Sequence, residues 1–186
     1  MSAENKALFP AVKDGNVVRI GDREYIKFPE RDGMVPVISK GIQFNSVFGN
    51  NNDFRTSKVR EALEENCLPE MIEAVGAENI CTIRTDLTAL TGQKDYGVLE
   101  SLVSLPTLDF YREYADIFMK YAADEWWWLA TPEAMKPADN PYWILCVSPS
   151  GCIGRGNFLY YFDSLGVRPF YLLKSNIFGS FGEDNG

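Results

Sequence analysis

The run Trp126-Trp127-Trp128-Leu129-Ala130-Thr131-Pro132 constrains this chain more than any other stretch. Its residue types favour an extended strand, and side chains alternate across a strand, so Trp126 and Trp128 share one face and Trp127 takes the other. Each indole buries a large apolar area, so core packing is the expected role of at least two of the three. Thr131 and Pro132 read as the end of the strand, because proline brings no amide donor to a ladder. The chain is rich enough to receive such side chains: its 186 residues are 46% hydrophobic and 13% aromatic, which suits one folded domain over 1–186.

Ahead of that run the sequence reads as strands and then helices. Asn16–Ile20, Arg23–Phe28 and Val35–Ile38 form a small antiparallel meander, with Gly21-Asp22 and Asp32-Gly33 as its turns. Pro36 lacks an amide, so the third strand is expected at an edge or paired on one side only. Ser57 is placed to cap a helix with Val59, Ala62, Leu63 and Cys67 on one face. A second short helix is expected from about Pro69 to Gly76. Thr107 caps a third, whose Phe110, Tyr114, Ile117, Phe118 and Tyr121 recur at helical spacing as far as about Ala122.

Strand character returns after Glu125, in Trp126–Ala130, Tyr142–Val147, Asn157–Phe162 and Val167–Leu173. Ser148-Pro149-Ser150-Gly151 is a turn, and Gly151, Gly154 and Gly156 are expected to make the following segment irregular. Strands, helices and strands again imply an α+β domain of antiparallel sheets with two or three helices in its first two-thirds, the first and last strands sharing a sheet.

Gly166-Val167-Arg168-Pro169 completes a wider pattern with the tryptophan run, with Phe48-Gly49-Asn50-Asn51-Asn52-Asp53-Phe54, with Ser57-Lys58-Val59-Arg60-Glu61-Ala62-Leu63 and with Thr107-Leu108-Asp109-Phe110-Tyr111-Arg112-Glu113-Tyr114. The pattern resembles an uncharacterised domain family of Firmicutes and their phages and prophages, marked by WWLRSP or WWLATP followed by GVRP. The resemblance covers roughly residues 16–178 and leaves 1–15 as an N-terminal extension. It implies a C-type-lectin-like fold, because the family's ending is similar to the C-terminal part of such domains, the formylglycine-generating-enzyme group among them. It also implies a phage or prophage protein, displayed on a virion. The paired catalytic cysteines of that enzyme group have no counterpart here. Ala130-Thr131 stands where many relatives carry Arg-Ser, so nothing attached to that arginine transfers. Arg168 is expected to be structural, pinning the last strand through a carboxylate or backbone carbonyls.

Histidine is absent, which removes the usual general base, the Ser-His and Cys-His pairs and most transition-metal sites. There is no GxSxG elbow, no GxxxxGK[ST] loop and no GxGxxG between strand and helix; Gly154-Arg155-Gly156 is only a fragment. Asp139, Asn140, Asn157 and the Asn50–Asp53 run read as turn residues rather than calcium ligands. The expectation is a non-enzymatic binding module with no catalytic residue, metal or cofactor, taking a protein or glycan ligand. Its candidate ligand-binding residues are Asn140, Tyr142, Trp143, Arg155, Asn157 and Tyr160, where aromatic rings beside loops stack on sugars or anchor interfaces.

A net charge of -8 opposes direct binding to nucleic acid. Between Arg60 and Arg84 stand Glu61, Glu64, Glu65, Glu70, Glu73 and Glu78 with no basic residue. A solvated helical face is the plain reading. The alternative function is a cytoplasmic acidic inhibitor of a host defence nuclease, a nucleic-acid mimic with Glu64, Glu65 and Glu73 as partner-binding residues. No apolar run reaches the roughly 18 to 20 residues of a membrane span, and the N-terminus carries no signal pattern, so synthesis in a cytoplasm without membrane insertion is expected. A homo-oligomer is compatible with all of this. Cys67, Cys81, Cys146 and Cys152 lack CxxC spacing, so free thiols are expected, although Cys146 and Cys152 flank a turn across which a pair can be drawn.

Overall fold

The computed structural model describes residues 6–135, 142–157 and 164–180. In chain order the elements are β1 (Lys6–Leu8), β2 (Val17–Ile20), β3 (Arg23–Lys27), β4 (Met34–Ser39), β5 (Phe44–Ser46), α1 (Lys58–Ala62), α2 (Leu68–Val75), β6 (Ile80–Cys81), β7 (Ile83–Asp86), β8 (Val98–Ser101), α3 (Leu108–Glu113), α4 (Ala115–Lys120), β9 (Trp127–Pro132), β10 (Trp143–Val147), β11 (Ile153–Asn157), β12 (Leu165–Val167), β13 (Phe170–Lys174) and β14 (Phe178–Ser180). This is an α+β fold of mostly antiparallel sheets with few helices. One sheet runs β1-β14-β2-β3-β4-β13-β6, a second runs β11-β10-β9-β12-β5, and β7-β8 is a separate ribbon. Early and late strands share the first sheet, β13 lying against β4. The only parallel neighbours among the described strands are β9 and β12.

The two sheets are joined by one bent ribbon. Its β4 and β13 belong to the first sheet, while the continuations β5 and β12 belong to the second. The expected strand Val167–Leu173 is therefore split at Arg168-Pro169, where it leaves one sheet for the other. Ser39 N bonds Pro169 O and Gln43 N bonds Val167 O, so Lys40–Ile42 bulge around the bend. Arg168 fills that bulge, only 1% exposed. Its Nε and one terminal nitrogen donate to Ser39 O at 3.0 Å and Lys40 O at 2.9 Å. The guanidinium lies over the Trp127 ring at 5.0 Å and near Phe118 at 5.7 Å. Of the two partners expected for Arg168 the carbonyls are the ones used, and among the described residues no carboxylate pairs with it. Burial pushes its pKa down to about 10, still far above neutrality, so the guanidinium remains charged. Gly166 is needed beside it, since a Cβ there would lie 2.4 Å from Ile42.

Pro36 departs from expectation, because its strand lies between β3 and β13 rather than at an edge. In an antiparallel strand a residue's N–H and C=O point to the same neighbour. Pro36 O accepts from Phe28 N at 2.9 Å, just beyond the end of β3, so the proline costs only the reciprocal bond of that one pair. The residues before 16 also belong to the fold: β1 pairs with β14, Phe9 is fully buried, and the buried Lys27 donates to Val12 O and Asp14.

Ser57 caps α1, accepting from Arg60 N at 3.1 Å. The helix does not stop before Pro69 but continues into α2 through a π turn over Leu63–Cys67, with Leu68 N reaching back to Leu63 O. Proline inside a regular helix loses one bond and clashes with the carbonyl four residues earlier, and a wider turn relieves both. Helix α2 ends at Gly76 as expected. Thr107 caps α3, but Tyr114 leaves helical geometry at φ -119° and separates α3 from α4. Its ring packs on Phe28 and Phe110, and its hydroxyl accepts from Arg31 at 2.7 Å, so tertiary contacts interrupt a periodicity that is locally continuous.

The tryptophans divide as the alternation requires. Trp128 joins a core with Val37, Tyr171, Leu63 and Met71, while Trp127 faces Tyr111, Phe118 and Leu145 on the other side. Trp126 is 42% exposed. Thr131 does more than end β9, because its hydroxyl accepts from Leu108 N at 2.9 Å and docks the start of α3. The segment after the Ser148–Gly151 turn is not irregular: β11 pairs with β10 in unbroken register from Ile153 to Asn157. Its glycines serve that strand, since a Cβ on Gly154 or Gly156 would lie 2.4 or 2.5 Å from the rings of Trp126 and Trp128. The remainder of the expected strand, 158–162, lies outside the described residues. Among the described residues no helix is long and apolar enough to cross a membrane.

Candidate functional site

Four of the six expected ligand residues meet at one end of the β10–β11 hairpin, where Trp143 and Asn157 are register partners. Tyr142, at the entry to β10, is 39% exposed, and Asn157 is buried. Asn140 and Tyr160 lie outside the described residues. Trp143 is half-buried, with the Arg155 guanidinium 5.1 Å from the ring centroid. Arg155 also reaches Glu133 Oε1 at 2.6 Å, and Glu133 N bonds Trp143 O at 3.0 Å. The indole N–H of Trp143 is buried without an acceptor among the described residues. Sequence reasoning missed Glu133, which carries no motif and is brought to Arg155 only by the pairing of β9, β10 and β11.

A second layer fixes this end of the hairpin. Asn52, 1% exposed, donates to Ala134 O at 2.7 Å and to Trp143 O at 3.3 Å, while Tyr96 donates to its Oδ1 at 2.7 Å. Arg55 lies over the Tyr96 ring at 5.1 Å and is clasped by Asp53. Burial raises the Tyr96 pKa, which keeps its hydroxyl a donor at neutral pH. From the opposite side Gln93 bonds both the amide and the carbonyl of Met135, and Leu90 and Thr91 donate to Pro132 O and Glu133 O. Asn51 caps Asp53 N and meets Thr56. The Asn50–Asp53 run is thus a scaffold beneath Trp143, and a side chain with both donor and acceptor capacity in a core-like position is the signal that turn chemistry masked. Among the described residues no three acidic or cysteine side chains gather as a metal site.

The acidic residues of the alternative reading lie on the α1–α2 helix. Glu64 accepts from Arg60 at 2.7 Å, while Glu65 and Glu73 are exposed and form no ion pair among the described residues. Glu70 is bound to Arg23 at 2.6 Å, and that bond holds its carboxyl below the usual range. Glu73 borders a concavity of about 480 Å³ with Arg23 and Tyr25. A larger open cleft of about 840 Å³ lies between Arg19, Arg23 and Lys40 on one side and Asp124 and Glu125 on the other. Much of its positive charge is already matched: Lys40 pairs with Glu24 at 2.9 Å, and Arg23 with Glu70 at 2.6 Å.

No disulfide joins the four cysteines, and Cys146 stands in register with Gly154, not with Cys152. Burial pushes the Cys67 thiol up to about 11, so it is inert at neutral pH. No family model, no curated protein and no solved structure matches this chain.

Proposed function

We propose that the chain is a non-enzymatic binding module on a lectin-like scaffold, recognising a protein or glycan through the surface of Tyr142, Trp143, Arg155 and Asn157. The observation that carries this reading is the Trp143–Arg155–Glu133 set, a cation stacked on a half-buried indole and anchored to an acid. Tyrosine, tryptophan and arginine are the residues in which interface binding energy concentrates. The backbone beneath them is held by Asn52 and Gln93, so little conformational freedom remains to be lost on binding. The phage or prophage setting, with display on a virion, rests on the sequence resemblance and suits a recognition unit. The acidic-inhibitor reading has less support, since Arg60 pairs with Glu64 and Arg23 with the neighbouring Glu70, which leaves Glu65 and Glu73 of its three residues without an ion pair among the described residues.

The test measures binding of the labelled protein to host cells, cell-wall glycans and virion proteins, comparing the parent with Arg155→Ala and Tyr142→Ala. The expected result is a loss of about tenfold or more in affinity with an unchanged thermal midpoint. Full binding by both variants places recognition elsewhere on the molecule. Loss confined to a Glu64, Glu65 and Glu73 to lysine variant favours the inhibitor.

A further inference from the structure

A groove remote from the β10–β11 hairpin has the make-up of a small-molecule site. Helices α3 and α4 cover Ile26, Phe28, Ile38 and Phe170 on one face of the first sheet. They stop short of the next row, where Leu172 stands opposite Pro36. That row is left as the floor of a cavity of about 340 Å³, walled by Phe110 of α3 on one side and Ile83 of β7 on the other. Leu172 and Phe110 are only half-buried, although β13 is an interior strand. The volume falls within the range of about 300–1,000 Å³ for small-ligand pockets and is too small for a docked protein element.

The charged side chains at the rim are unequal. Arg31 is committed to Glu113 and the Tyr114 hydroxyl. Arg84 is different: its side chain is 73% exposed, it donates no hydrogen bond among the described residues, and its ion pair with Glu100, across the ribbon, is loose at 3.6 Å from Nε. A guanidinium with unfilled donors beside an apolar floor matches a planar carboxylate on an apolar body, which it can grip with two parallel bonds. Asp32 also borders the groove and repels an anion, so the head group belongs at the Arg84 end and the apolar body under Phe110.

We infer that this groove binds a free, medium-chain carboxylate amphiphile, with its head on Arg84 and its chain laid over Pro36 and Leu172, beside Phe110. The probe is decanoate below its micellar concentration, titrated calorimetrically into the full chain and located by backbone amide shifts. Saturable binding is expected, with shifts in β7, β13 and α3 and a loss of up to about fourfold for each methylene removed. Arg84→Gln, at an exposed position that leaves folding intact, is expected to weaken decanoate roughly five- to tenfold and to leave decanol unchanged. Asp32→Asn is expected to tighten it slightly. Absence of saturable binding, equal binding of decyltrimethylammonium, or an unaltered decanoate affinity in Arg84→Gln overturns the inference.

Discussion

Replacing Arg168 by methionine tests whether the bend between the two sheets depends on its buried cation. Methionine retains much of the length and apolar surface but answers neither Ser39 O nor Lys40 O. Each charge-assisted bond contributes about 1.5–3 kcal/mol, and stacking on Trp127 adds about 1 kcal/mol. Against this stands the desolvation of the guanidinium, the same burial that lowers its pKa, and methionine is relieved of it. The balance is a destabilisation of about 2–4 kcal/mol for Arg168→Met. For a chain of 186 residues that is a fall of about 5–15 °C in thermal midpoint. Arg168→Lys keeps the charge but not the fork and should lose about half as much. Urea and thermal unfolding at neutral pH are the assays. An Arg168→Met protein as stable as the parent would show that desolvation cancels the carbonyl bonds, and that sheet packing alone holds the bend.

Gly156→Ala would place a Cβ 2.5 Å from Trp128, whose indole is held by a 2.8 Å bond to Ser46 O. Overpacking of about 1–3 kcal/mol is expected, whereas Gly41→Ala, with nothing within 4 Å, should be neutral in the same thermal scan. A thiol reagent should label exposed Cys152 fast and partly exposed Cys81 more slowly, and should reach Cys67 and Cys146 only on unfolding; rapid labelling of Cys67 would contradict its placement. Glu70→Gln tests the acid limb of stability. Because Arg23 lowers the Glu70 pKa in the fold, its contribution is present above the ordinary value of about 4.3 and disappears as pH falls through the lower folded one. The gap between parent and variant should therefore close in that acidic window. At this exposure it should stay below about 1 kcal/mol, and a gap that widens with acid would reverse the assignment.

Features whose causes lie within a few residues were legible in the sequence. The β2–β4 meander, the Ser57 and Thr107 caps, the Gly76 stop and the two-sided burial of Trp127 and Trp128 follow from alternation, capping and turn chemistry. Of the candidate site, Trp143, Arg155 and Asn157 were named from the sequence, but the register that brings them together was not, because Gly154 and Gly156 read as breaks in a strand that they in fact belong to. Glu133 and Asn52 were not legible, because the end of β9 and a loop about ninety residues before Trp143 bring them to Arg155 and Trp143.

Tertiary packing decided the rest. The spacing of α3 and α4 is locally continuous, and only the pull of Phe28 and Arg31 on Tyr114 breaks it. Pro36 suits an edge by its own chemistry, yet it sits inside a sheet, where its carbonyl still accepts from Phe28 and only the reciprocal bond is lost. Arg168 has no apolar pattern to announce burial; it is sequestered because a ribbon bends there and exposes two carbonyls that a guanidinium can answer. Periodicity and capping thus determined which segments became strands and helices, while the partner across each ladder, supplied from far along the chain, decided where they ended and what they enclosed.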